Sequence, residues 1–459
     1  MTDAFTSFEA KMRDDGLPEL AIEAFRRAYA KLAAGETGEL SRDQIAPVET
    51  VPDAEGFGEF EDVGRRALGQ TVVVKLNGGL GTSMGMTCAK SLLPVRPGVQ
   101  FLDLIARQVL TARRQYDCGL PLVLMNSFRT REGSLARLEE HPALADQSVP
   151  ADFLQHRVPK VLAEGLGPAD WARDRELEWA PPGHGDLYIA MATSGMLEAL
   201  LADGYRYAFV SNADNLGAVL DLGILGWVAM NEVPFTMEVA DRTAADRKGG
   251  HLARTLDGRL TLREVAQCPE SELEEFQDTE VYRYFNTNSL WVDLVALKSA
   301  LESDRLDLPV IVNRKTVDPR DSDSPACYQL ETAMGAAIQC FEGARAVRVP
   351  RSRFAPVKTT NDLLALWSDA YRVTPEHHVV LEPERQGQPP VVDLDEAYFK
   401  KVDDFEKRFP EGAPSLRGCE RFTVRGDVYF GGEVTVTGNV TLEHEGDSPL
   451  QIEDGSNIS

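Results

Sequence analysis

The run LNGGLGTSMG (76–85) stands directly after the apolar stretch TVVVKL (71–76) and is followed by Lys90 and Ser91. Glycines at that density let a backbone turn tightly and present its N–H groups to a nucleotide with no side chain in the way. Three phosphate-binding motifs compete for this loop. A Walker loop needs a glycine directly before its lysine, but Ala89 precedes Lys90 and Met84 fills the earlier glycine position. That reading fails. A dinucleotide fingerprint is met only loosely by Gly79, Gly81 and Gly85, and the next strand ends in Asn126 without a ribose-binding acid. The third is a nucleotidyltransferase loop, whose turn holds base and phosphates while a lysine downstream neutralises charge. Lys90 suits that role, with a solvated surface lysine as the plain alternative.

Four further groups could do chemistry. PPGHGD (181–186) packs two prolines and two glycines around His184, a rigid loop that permits close backbone approach. In FVSNADN (209–215), Asn212 and Asp214 are two apart, so an extended backbone points both to one side. One carboxylate there suits Mg²⁺, which takes one or two acids plus phosphates and waters; an Asx turn capping the next helix is the structural alternative. Asn286 and Asn288 of FNTNSLW, with Glu264 of REVAQ, are apt for sugar hydroxyls, and Gly250 of RKGG allows close approach. Finally, Arg348, Arg351, Arg353 and Lys358 cluster before Thr359-Thr360, which have N-cap hydroxyls. A lysine beside a helix start makes an anion site.

The elements that must position these groups are legible from pattern. LPELAIEAFRRAYAKLAAGE (17–36) has helical spacing and stops at Gly35, and residues 36–69 read as a connecting segment. From 71, strands TVVVKL, PLVLM (121–125), YRYAFV (205–210), PFTMEV (234–239) and the VRVP region (347–350) alternate with helical stretches such as 101–114 and 195–204. That alternation predicts an α/β domain with a largely parallel, doubly wound sheet, whose ligands bind beyond the carboxyl ends of the strands. From Val424 the tail repeats every six residues, with glycines at 426, 432 and 438 and valines at 428, 434 and 440. This is the pattern of a parallel β-helix, with a β-meander as the alternative.

The 459 residues suit two or three domains. A net charge of −25 argues against coating nucleic acid or anionic membrane, because the average field repels phosphate; a few local cations can still dominate one pocket. With 43 % apolar residues the chain can build cores rather than remain disordered. Six cysteines without a C-x-x-C spacing read as reduced thiols, and no zinc site is expected. The start MTDAFTSFEAKMRDDG has no apolar h-region, and no run approaches the roughly 18 apolar residues of a membrane span. A cytoplasmic protein is expected.

KLNGGLGTSMG resembles the signature of the eukaryotic-type UTP–glucose-1-phosphate uridylyltransferases, also called UDP-glucose pyrophosphorylases. The resemblance continues in order through MNSF (125–128), FLQHRVPK (153–160), WAPPGHGDLY (179–188), FVSNADNLGA (209–218), ADRKGG (245–250), FNTNSLW (285–291), QLETAMGAAI (329–338) and VPRSRFAPVKTTNDL (349–363). It implies a Rossmann-like, GT-A-like nucleotidyltransferase mixed sheet flanked by helices, with a helical N-terminal segment (1–69), a catalytic domain (70–385) and a short C-terminal left-handed parallel β-helix (386–459). The implied reaction is UTP plus α-D-glucose 1-phosphate giving UDP-glucose and pyrophosphate, without a covalent intermediate. The implied nucleotide-binding residues are Leu76, Asn77, Gly78, Gly79, Lys90, Gln155, Gly183, Asp214 and Lys358. Gln155 matches the family's uracil-reading glutamine, and Lys90 and Lys358 its catalytic phosphate-binding lysines. His184, Asn212, Gly250, Glu264, Asn286 and Asn288 fall on the sugar-phosphate side, and Asp214 on the Mg²⁺ ligand. The sequence departs from eukaryotic members in Met86-Thr-Cys-Ala-Lys90-Ser, where a Cys-Lys-Gly-Pro-Lys-Ser type run is usual, and in FLQHRVPK. The tail stops short of strands that some relatives use to form octamers, so a monomer or a homodimer through the β-helix is expected. A sister enzyme using N-acetylglucosamine 1-phosphate or several sugar phosphates, a non-catalytic nucleotide-sugar-binding regulator, and a dehydrogenase are the alternatives.

Overall fold

The computed structural model describes residues 2–459 except 37, 97, 244, 245 and 248, so Ala245 and Lys248 of the ADRKGG motif lie outside the described residues. Short β-rich runs build a ten-stranded sheet among the described residues. Its strands are β1 (Ile45–Pro47), β2 (Thr71–Asn77), β3 (Leu122–Asn126), β4 (Asp152–Leu154), β5 (Tyr207–Asn212), β6 (Phe235–Asp241), β7 (His251–Thr255), β8 (Leu260–Arg263), β9 (Tyr284–Asp293) and β10 (Arg345–Arg348). The main order is β1-β7-β9-β5-β2-β3-β4, with β6 between β9 and β10 and with β8 on β7.

Alternation along β2 sorts its side chains onto two cores. Val73 joins the helix Phe101–Tyr116 through Leu102, Ile105 and Val109, whereas Val72 and Val74 face Leu187, Met191, Leu197 and Leu200 of the helices Leu187–Thr193 and Met196–Ala202. Strands β5, β2, β3 and β4 are parallel. The expectation of a largely parallel sheet is corrected by β9, which runs antiparallel to both β5 and β6, making the sheet mixed. Strand β9 is buried along nearly all its length, so no polar alternation in its sequence marks a face or a direction. Its reversal brings the start of β9 to the edge where the parallel strands end.

The N-terminal helices Thr2–Asp14 and Glu19–Ala33 pack Phe5, Phe8, Ile22 and Phe25 against Val158, Val161, Val310 and Leu330. The connecting segment also supplies β1 and the helix Glu61–Ala67. In the tail, Val391–Leu394, Cys419–Arg425 and Gly438–Glu443 pair in parallel, as do Val428–Phe430 with Leu450–Ile452 and Thr435–Val436 with Asn457–Ile458. Parallel neighbours exclude the meander. Phe399, Phe405, Phe422 and Phe430 of this region share one continuous core with Leu93, Leu363 and Leu366, so the tail leans on the main body. The six cysteines are free thiols, and no helix among the described residues is long and apolar enough to cross a membrane.

Beneath the strand ends lies a buried polar network. Arg353 pairs with Glu238 at 2.6 and 2.8 Å, and the Trp291 indole N–H donates to the same carboxylate at 2.9 Å. Arg353 also donates to the Val219 carbonyl at 2.9 Å, and Lys75 donates to Ser211 Oγ and the Ala218 carbonyl at 2.6 and 2.9 Å. Burial, with the Arg353 charge nearby, lowers the Lys75 ammonium to about 7. Glu238→Ala would strand the buried Arg353 cation and should cost about 3–5 kcal/mol of stability in chemical denaturation; a loss below about 1 kcal/mol would contradict the role given to this pair.

Candidate active site

The parallel register lines up the strand ends. Asn212 is opposite Leu76, Asn77 opposite Asn126, and Asn126 opposite Leu154. Beyond this row opens a cavity of about 460 Å³ lined by Leu76, Asn77, Gly78, Gly79, Lys90, Gln155, Gly183, His184, Asn212 and Asp214, together with Thr82, Ser91 and Pro181. Ten residues selected from sequence thus share one cavity. The Gly-rich loop folds back on itself, with Gly81 N–H donating to the Cys88 carbonyl at 3.4 Å and Lys90 N–H to the Gly79 carbonyl at 3.3 Å. This doubling returns Lys90 to the strand edge.

The Lys90 ammonium lies 3.2 Å from Asp214 Oδ2 and donates to the Val357 carbonyl at 3.3 Å. The other oxygen, Asp214 Oδ1, is buried with no protein partner. Asp214 follows β5 in a turn, so its meeting with Asn212 at the cavity comes from that turn rather than from strand alternation. The Asx-turn role falls on the neighbouring Asn215, whose Oδ1 accepts from Gly217 and Ala355 N–H at 3.1 and 3.0 Å. No group of three or more His, Cys, Asp or Glu among the described residues is arranged to hold a metal ion, so a cation here would rely on one carboxylate plus ligands from phosphate and water. An orphaned carboxylate oxygen on this cavity fits Mg²⁺ on those terms.

Across the cavity floor, the Gln155 amide lies against the Gly78 backbone, where a Cβ would stand 2.5 Å from Oε1. Gly183 has φ +81°, and a Cβ there would lie 2.4 Å from the Thr332 carbonyl oxygen, so both conformation and packing demand glycine. His184 Nδ1 accepts the Met334 N–H at 3.1 Å, and burial lowers its imidazole to about 4. The neutral ring therefore carries its proton on Nε2, as a donor on the cavity wall.

Gly250, Glu264, Asn286 and Asn288 form a second group that does not line this cavity. Glu264 packs on the Gly250 backbone, Asn286 N–H donates to the Gly250 carbonyl at 3.3 Å, and Asn286 Nδ2 donates to Asn288 Oδ1 at 2.9 Å. The two asparagines meet because a bulge shifts the β6–β9 register between Glu238 and Val239 and puts Asn288 at φ +58°; regular alternation does not bring them together. Burial raises the Glu264 carboxyl above its ordinary range. The motif around 332–335 joins the two groups. Thr332 packs on Gly183, Met334 on His184, and Gly335 on Asn286 Nδ2.

The basic cluster is corrected by its partners. Arg348 pairs with Asp53, Glu55 and Asp241, Arg351 with Asp246, and Arg353 with Glu238. Lys358 alone of the four has no carboxylate partner among the described residues. It is exposed and outside the cavity lining, with Nζ 5.9 Å from the Phe354 ring centre, one residue beyond the Val357 carbonyl that receives Lys90. The helix Thr360–Trp367 begins as expected, with Thr359 N–H bonded to Asp362 at 2.9 Å.

Sequence reasoning missed the buried support of the loop. Asn77 donates to Asn126 Oδ1 and Ser134 Oγ at 2.7 Å each, and Ser91 donates to Asn77 Oδ1 at 2.5 Å. The polar residues ending two adjacent strands were the available signal. Met334 and Gly335 lie in the QLETAMGAAI motif, but they act through backbone, so the motif marked the segment without showing their role.

A family model described as UTP–glucose-1-phosphate uridylyltransferase matches residues 22–437. The chain belongs to this family. The uridylyltransferase of Solanum tuberosum is 42 % identical over 398 residues, 86 % of this chain and 81 % of that protein. That of Saccharomyces cerevisiae is 43 % identical over 391 residues, 85 % and 77 % of the two. The fold is similar to the UDP-glucose pyrophosphorylase of Leishmania major, described in open and closed structures, with a TM-score of 0.93, 45 % identity, and coverage of 100 % of this chain and 98 % of that one. A variant of that enzyme in complex with UDP-glucose matches with a TM-score of 0.92 at 45 % identity over 99 % and 98 % of the two chains.

The His184 state of this uridylyltransferase family member can be tested directly. Its imidazole signals should hold their neutral form from about pH 8 to about pH 5 in a histidine NMR titration. Because the ordinary value is 6.5 and the folded value about 4, His184 contributes stability above 6.5 that is lost as pH falls toward 4. A midpoint near 6.5 would contradict the burial argument.

Proposed function

We propose that this chain transfers the uridylyl group of UTP to α-D-glucose 1-phosphate, releasing pyrophosphate. The observation that carries the reading is the single strand-edge cavity uniting the Gly-rich loop, Lys90, Gln155, His184 and Asp214 within a member of the uridylyltransferase family. A phosphate oxygen of the sugar phosphate attacks the α-phosphorus in line, and pyrophosphate leaves. Both reactants are anions, so the protein must align them and offset charge rather than supply a nucleophile.

Gln155 pairs with the uracil edge, and Leu76, Asn77, Gly78, Gly79 and Gly183 bound the nucleotide. The neutral His184 donates from Nε2 to a substrate oxygen. Lys90 and Lys358 are the catalytic cations. Lys90 lies at the cavity, and Lys358 reaches the phosphates from the rim when the site closes. Asn212, Gly250, Glu264, Asn286 and Asn288 hold the sugar phosphate, linked to the nucleotide side through 332–335. Asp214, through its unpartnered Oδ1, would hold Mg²⁺. Bound there, the ion would neutralise phosphate charge.

We take residues 1–69, 70–385 and 386–459 as helical, catalytic and tail units of a cytoplasmic enzyme. The parallel pairs of the tail support a short left-handed β-helix. Leu450, Ile452 and Ile458, only partly covered in its last lap, support a homodimer through that end.

The test is pyrophosphate release from UTP and Mg²⁺ with glucose 1-phosphate, galactose 1-phosphate or N-acetylglucosamine 1-phosphate in parallel. Rapid release with glucose 1-phosphate alone is expected. Release with another sugar would move the specificity. No release by folded, UTP-binding protein would overturn the enzymatic reading.

A further inference from the structure

A flexible amide side chain discriminates between bases only as well as its backbone is held. Gln155 follows β4, and its N–H donates to the Asn126 carbonyl at the end of β3 at 2.8 Å. The next peptide N–H, that of His156, donates to Asp186 Oδ2 at 2.7 Å. The same His156 places Nδ1 2.8 Å from Asp186 Oδ1, while its Nε2 stands 3.0 Å from Thr193 Oγ1. Both oxygens of one buried carboxylate thus engage the residue directly after Gln155. The carboxylate is only 6 % exposed.

Asp186 closes the short turn His184–Asp186 that runs directly into the helix Leu187–Thr193, and its side chain makes no bond to that helix's own N–H groups. Its hydrogen bonds go instead to the loop of Gln155. Asp186 is also three residues beyond Gly183, whose carbonyl accepts the Asp186 N–H at 3.3 Å. One side chain therefore cross-links the loop of Gln155 to the loop of Gly183 and His184.

We propose that Asp186 is a positioning residue for base selection, fixing the peptide after Gln155 so that the Gln155 amide stays against Gly78 in register with the uracil edge. The proposal rests on the reading of Gln155 as the base-reading residue. Losing two charge-assisted hydrogen bonds frees the loop and removes the selective part of binding, while phosphate contacts persist.

The experiment measures UTP and CTP dissociation constants by calorimetry, with melting temperatures, for the intact chain and for Asp186→Ala, Asp186→Asn and Gln155→Ala. Asp186→Ala should weaken UTP about ten-fold and CTP less than about two-fold, narrowing the preference. Asp186→Asn keeps an oxygen to accept the His156 N–H and should recover most of that preference. Where the alanine variant does not fold, Asp186→Glu keeps the charge but moves the oxygens by one methylene, and should narrow the preference in the same way. A lowered melting temperature with an unchanged UTP-to-CTP ratio would make Asp186 merely structural and overturn the proposal. If Gln155→Ala erases the preference while Asp186→Ala and Asp186→Glu keep it, positioning alone fails. If Gln155→Ala leaves the preference intact, the reading of Gln155 fails and the proposal with it.

Discussion

The contact between Lys90 and Asp214 is the constraint on which the site depends. It joins three segments: the folded-back Gly-rich loop, the turn after β5, and the segment carrying Lys358, the last two also bridged at Asn215 and Pro356. Lys90 reaches both Asp214 and the Val357 carbonyl, and the Val357 N–H donates to the Asp214 carbonyl at 3.1 Å. In a protein carrying a net charge of −25, an anion site needs local cations. Asp214 restrains one such cation, Lys90, while its second oxygen has no protein partner.

The same charge problem explains the buried network below. Arg348, Arg351 and Arg353 cross-brace distant parts of the chain through carboxylates, whereas the Lys358 ammonium has no acid partner among the described residues. Their contribution to the site is shape. Arg353, fixed by Glu238 and bonded to the Val219 carbonyl, supports the segment after Asp214, and Asn215 ties the same turn to the Arg353 and Ala355 backbone. Lys90 on the cavity wall and Lys358 beyond it are left as the local cations.

Much of this was legible in sequence because it is local. A glycine-rich turn after an apolar strand, a histidine between prolines and glycines, and an acid just beyond a strand each mark a strand-end ligand site, and the motifs in order identify the family. What was not legible depends on partners distant in the chain. The direction of β9 leaves no mark in a strand buried on both faces, and the bulge that brings Asn286 to Asn288 breaks the alternation that sequence reasoning assumes. The arginines after Val347 look like an anion site until Asp53, Glu55, Glu238, Asp241 and Asp246 are brought beside them. Met334 and Gly335 link His184 to Asn286 through backbone, which residue type does not announce.

The most direct test of the account is calorimetric UTP binding with and without Mg²⁺, for the intact protein and for Asp214→Asn. Asp214 should provide the ion's protein ligand, so Mg²⁺ should tighten UTP binding by about ten-fold or more in the intact protein and have little effect in the variant. UTP without metal should bind the variant more weakly, because the Lys90 ammonium loses the carboxylate that holds it at the strand edge. An equal Mg²⁺ enhancement in both proteins, with Asp214→Asn folded, would contradict the assignment of Asp214 as the ion's ligand, and undiminished metal-free UTP binding by the variant would contradict the view that the pairing of Asp214 with Lys90 organises the site.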